Sequence, residues 1–129
     1  MSILNLKNIL VADAITCGGV FAIGLLAAEP VGALLGLPAH VVAIGGWICL
    51  AAALLMIVAA RQAVPSPALV KLIALGNLGW VAASLAVVAT FAAGMTGIGI
   101  AVVAAQALGV LGFAILEWKD AGVPRPVAV

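Results

Sequence analysis

Residues 71–93 read KLIALGNLGWVAASLAVVATFAA. The stretch carries one charge, Lys71, at its first position, and apart from Asn77, Ser84 and Thr90 the rest is apolar or glycine. About 20 such residues in a helix cross a hydrocarbon core about 30 Å thick. Lipid offers the backbone no hydrogen-bond partner, so a spanning segment satisfies its own N–H and C=O groups and is helical. A membrane barrel needs short strands of alternating apolar and polar residues, and the chain has none.

Three other stretches have the same character. Residues 8–28 run up to Glu29-Pro30, residues 40–60 up to Arg61-Gln62, and residues 97–118 up to Lys119-Asp120. The expected fold class is all-α: an integral membrane four-helix bundle, forming one transmembrane domain over residues 1–129. Residues 119–129, with Pro124 and Pro126, read as an extended cytoplasmic tail, and no soluble domain is expected beside the bundle.

Composition points the same way. The chain is 67% hydrophobic and 7% charged, with a mean hydropathy of +1.44, whereas about a quarter of a soluble domain is charged. Nine charged side chains cannot cover a water-soluble fold of 129 residues. That excludes a soluble enzyme. A net charge of +1 without a basic cluster speaks against a nucleic-acid partner, so the expected partner is the lipid bilayer.

The connections fit the four spans. Segment 29–39 holds Pro30, Gly32, Gly36 and Pro38, a helix-breaking set around an apolar interior, and is expected to be irregular and to lie in the interface. Segment 61–71 carries Pro65 and Pro67, and Gly94-Met95-Thr96 is short enough for a tight helical hairpin. The first span is longer than a signal-peptide core and contains Asp13, so it reads as an uncleaved anchor. Lys7, Arg61, Lys71, Lys119 and Arg125 all fall on one side of the alternating spans. The positive-inside rule makes that side cytoplasmic, which places both termini there.

Polar groups inside a span are costly and need a partner or a purpose. Asp13 lies six residues past Lys7, and Asn77 six past Lys71 on a span running the same way. The two share a depth, and an Asn amide can donate to a carboxyl group, so a clasp between these spans is expected. Thr16 follows Asp13 by one turn, and Ser84 follows Asn77 by two. Gln106 lies near the middle of the last span and reads as a hydrogen-bonding residue between helices. Glu117 reads as a solvated boundary carboxylate beside Trp118 and Lys119, the three forming an interfacial anchor. For Asp13, three readings stay open: a structural clasp, a proton- or cation-linked site, and a side chain reaching the cytoplasmic interface.

Cys17 and Cys49 fall near mid-bilayer on neighbouring spans and read as small packing residues. Trp47 and Trp80 read as packing between helices. His40 is the single histidine, so no metal site is expected, and no cofactor either. Small residues spaced for close packing recur at Gly45/Cys49, Gly79/Ala83 and Ala105/Gly109, with Gly18-Gly19 and Gly45-Gly46 opening further faces. Lys7–Asp13 resembles Lys71–Asn77 at an offset of 64, a weak parallel repeat that would centre the molecule on Asp13 and Asn77.

The stretch Gly76–Ser84, with its N-x-x-W-V-A-x-S pattern, resembles a group of small bacterial inner-membrane proteins with four predicted helices and an early acid in the first. Residues 29–38 and Ala105-Gln106-Ala107 share that likeness. The group has no established activity, so the resemblance implies a multi-pass bacterial inner-membrane location and assigns no functional residue. The residues themselves show no nucleophile with a base, no phosphate loop and no catalytic residue. The reading is a non-enzymatic accessory, structural or interaction subunit of a larger membrane complex or homo-oligomer. Two alternatives stand beside it. One is a small oligomeric proton-coupled transporter using Asp13, similar in length to small multidrug resistance transporters but lacking their glutamate and tyrosine. The other is a carrier of an apolar ligand such as a quinone, lipid or porphyrin.

Overall fold

The computed structural model describes residues 3–121, with side chains from Asn5 onward. It contains five helices and, among the described residues, no strand: α1 Ile3–Leu26, α2 Ala28–Leu35, α3 Ala39–Arg61, α4 Pro67–Phe91 and α5 Gly97–Ala121. Four of them, α1, α3, α4 and α5, are long and apolar enough to cross a membrane, so the chain is a small multi-pass helical membrane protein.

Its surface and interior are inverted relative to a soluble bundle. Ile15 and Leu108 are each 70% exposed, while the buried positions include Ala14, Ala53, Ala59, Ala74, Ala107 and Ala114. Lipid tails are as apolar as leucine, so large side chains lose nothing by facing outward, and small ones let helices approach. The one cluster of larger buried residues packs Leu6 and Leu10 of α1 with Met56 of α3 and Val70 and Ile73 of α4. It forms a plug at the end of the bundle where α1 begins and α3 ends.

The spans form a ring in the order α1, α3, α4, α5, with α1 and α4 on one diagonal. Packing is dense between α1 and α3 and between α4 and α5, and sparse along the α1–α5 and α3–α4 seams. The α1–α3 contact is backbone to backbone. A Cβ on Gly24 would lie 3.0 Å from the Val42 carbonyl oxygen, and one on Gly46 would lie 3.2 Å from Gly24 Cα. Phe21 and Trp47 meet edge-on beside this contact, with ring centres 5.2 Å apart.

The connection expected to be irregular over 29–39 contains the helix α2. Pro30 falls in its first turn, where no intrahelical N–H is required, and Gly36, in the left-handed conformation at φ 74°, ends it. The turn then packs against the start of α5. Thr96 N donates to Leu35 O at 3.1 Å, Thr96 Oγ1 donates to Leu34 O at 2.8 Å, and Gly99 N donates back to Thr96 Oγ1 at 2.9 Å. A Cβ on Gly99 would collide with the Leu35 carbonyl. On the opposite side of the bundle, Ser66 caps α4 by accepting from Leu69 N, with Pro67 at the first helical position. α5 runs through Ala121, so residues 119–121 are helical and not part of an extended tail; residues 122–129 of that expected tail lie outside the described residues.

Candidate functional site

Three polar side chains from three spans meet beside the plug. Asp13 lies on α1 one turn past Leu10, about 15 Å from the helix start on a rise of about 1.5 Å per residue. Asn77 sits at the matching distance from the start of α4. Its Nδ2 donates to Asp13 Oδ2 at 2.7 Å and to Glu117 Oε1 of α5 at 2.7 Å. The bond between Asp13 and Asn77 therefore crosses the diagonal of the bundle. Asp13 is 1% exposed and Glu117 0%.

Glu117 departs from its reading as a solvated boundary carboxylate. Trp118 and Lys119 do face outward, and Lys71 Nζ lies 5.4 Å from the Trp118 ring centre. Glu117 points the other way because it shares a face with Gln106 and Phe113, three turns and one turn earlier on α5. That spacing is legible in the sequence, and an inward Gln106 already implies an inward Glu117. Asp120, one turn past Glu117, is likewise buried, at 6% exposed. Glu117 Oε2 and Asp120 Oδ2 are buried without a hydrogen-bond partner, and no described lysine, arginine or histidine pairs with these acids.

Cys17 follows Asp13 by one turn, and its Sγ approaches Asp13 Oδ1 at 3.9 Å. Cys17 and Cys49 are both free thiols. Thr16 does not join the cluster: its hydroxyl donates to Ala12 O at 2.9 Å, within α1.

A second polar cluster joins α4 to α5. Trp80 Nε1 donates to Gln106 Oε1 at 2.7 Å, Gln106 Nε2 donates to Ser84 Oγ at 2.9 Å and to Val103 O at 2.9 Å, and Ser84 Oγ donates to Trp80 O at 2.8 Å. Ser84 and Gln106 are thus tied to each other and lie apart from Asp13. The indole N–H at its centre was not singled out in the sequence, where Trp80 read as packing alone.

Between the two clusters lies a chamber of about 410 Å³. All four spans line it: Asp13, Thr16, Cys17 and Val20 from α1; Ile48, Cys49, Leu55 and Met56 among others from α3; Leu72, Gly76, Asn77 and Trp80 from α4; Gln106, Gly109, Val110 and Phe113 from α5. From Gln106 to Glu117 is eleven residues of α5, about 16 Å along the axis, whereas on α4 Asn77 and Trp80 are one turn apart. Ile48 and Leu55 of α3 and Leu72 of α4 line the chamber and are also exposed, so its wall along the α3–α4 seam borders the lipid. Among the described residues, no group of three or more His, Cys, Asp or Glu side chains is arranged to hold a metal ion.

Compared with known proteins, the chain matches no family model, no curated protein and no solved structure.

Proposed function

We propose that this protein is a non-enzymatic multi-pass protein of the bacterial inner membrane that holds an apolar small molecule between its helices, with both termini in the cytoplasm. The observation that carries the reading is the chamber of about 410 Å³, walled by all four spans and bordering lipid along one seam. Pockets of about 300–1,000 Å³ with apolar walls and a few convergent polar groups are the usual form of small-molecule sites. The orientation rests on Lys7, Arg61, Lys71 and Lys119, which all belong to the end of the bundle where α1 starts and α5 ends.

Filling the chamber tests the reading. Gly109 lines it, and a Cβ there would meet nothing within 4 Å. Gly109→Leu is expected to leave the thermal unfolding of the purified protein nearly unchanged and to abolish binding of a neutral arene, measured by fluorescence in lipid nanodiscs. Binding that survives the substitution sinks the chamber as the site.

The accessory or oligomeric role has separate support. Gly18, Gly19 and Gly79 have open space where a Cβ would stand, as faces awaiting a second helix do. Mild extraction should then bring down a larger membrane assembly or a homo-oligomer, and a free monomer under those conditions argues against this role.

A further inference from the structure

The side-chain N–H and O–H donors around the chamber are all spent within the protein, and only the weak S–H of Cys49 is left over. Asn77 has two amide hydrogens and gives one to each carboxyl group. Gln106 gives both of its own to Ser84 and Val103, and Trp80 gives its indole N–H to Gln106. The Thr16 hydroxyl is turned back onto Ala12 O.

Acceptors are in surplus. Asp13, which lines the chamber, uses Oδ2 for Asn77, has a thiol 3.9 Å from Oδ1, and sits carboxyl to carboxyl with Glu117. Behind it, Glu117 Oε2 is buried without any partner. A buried acceptor left without a donor is costly, and more so when it is charged. A proton resting between Asp13 and Glu117 would be spent on that pair, so the surface offered to the chamber still consists of acceptors.

We infer that the chamber recognises an apolar molecule by a hydrogen-bond donor on its polar end, a hydroxyl or an ammonium, which docks on Asp13 Oδ1 beside Glu117. A molecule whose polar end only accepts, such as an ether or a ketone, finds no free N–H or O–H there. The inference rests on the chamber being a binding site and specifies the ligand's head group. The arene or chain of the ligand lies against Val20, Val110, Phe113 and Trp80, and the seam beside Leu55 and Leu72 gives it a route from the lipid.

Three probes of nearly one size test it on the intact protein in nanodiscs: 1-naphthylmethanol, its methyl ether, and 1-naphthylmethylammonium. At least one of the two donors is expected to bind about tenfold more tightly than the ether, the equivalent of one hydrogen bond. Which donor is preferred tells whether the head group is neutral or charged. Asp13→Asn should erase or reverse the preference, because its one remaining oxygen must take over the bond from Asn77 and its new N–H₂ then faces the chamber. Equal binding of the ether and both donors overturns the inference and leaves the chamber reading standing. Failure of all three to bind overturns both. A preference unchanged in Asp13→Asn overturns the role of Asp13, and the wild-type comparison decides the donor rule even if that variant fails to fold.

Discussion

The α1–α3 contact and the gap between the α1/α3 and α4/α5 pairs are built on opposite principles. At Gly24 and Gly46 two backbones touch, and no polar side chain takes part. Across the gap, packing is confined to the plug of Leu6, Leu10, Met56, Val70 and Ile73, and beyond it the Asn77 amide, which also holds Glu117, reaches over to Asp13. Helices in lipid gain no hydrophobic free energy by meeting, so a contact must come from close van der Waals approach or from polar bonds that lipid cannot offer. Where neither is present, the space stays open, and here that space is the chamber. The contact of α2 with α5 combines the two, with backbones touching at Gly99 and the Thr96 hydroxyl bonded to Leu34 O, and the Trp80–Gln106–Ser84 cluster belongs to the second.

Substitutions can weigh these two kinds of contact against each other. The largest effect is expected at Gly99, where a methyl group runs into the Leu35 carbonyl and neither backbone has room to yield. Gly99→Ala should destabilise by about 3 kcal/mol, the upper range for overpacking, read from unfolding in detergent. Asn77→Ala strips two buried carboxyl groups of their common donor and should cost about 2 kcal/mol. If Asn77→Ala proves the more damaging, polar bonding and not glycine contact dominates the bundle. The smallest effect is expected at the rim: Lys71→Ala removes a partly solvated cation from the Trp118 face and should change stability by about 0.5 kcal/mol. A loss several times larger would mean that the α4–α5 pair depends on its surface.

Much of this was legible in the order of residues. Four apolar runs define four spans. The matched distances of Asp13 from Lys7 and of Asn77 from Lys71 placed them at one depth, and in the structure they share a hydrogen bond across the diagonal. Glu117 reads as solvated because its neighbours Trp118 and Lys119 mark a boundary, yet it is buried. Adjacent helix positions differ by about 100° in direction, so Glu117 can face inward while both neighbours face out. α2 is hidden in the sequence because Pro30 and Gly36 read as breakers, whereas at a helix start and end they are compatible with the turns between them. Gly99 carried no signal, since only the fold brings Leu35 against it.

Composition and the spacing of apolar runs by themselves determined the solvent, the helical class and the number of spans, because a backbone in lipid must bond to itself within each segment. They also set which polar residues lie at equal depth. The tertiary structure alone decided that Asn77 serves Glu117 as well as Asp13, that Gln106 binds Trp80, and that a chamber separates the two groups. Those facts depend on helix rotation about its own axis. Helices apolar on every side carry no amphipathic stripe to set that rotation, so it is fixed only where glycines touch and buried polar atoms find one another.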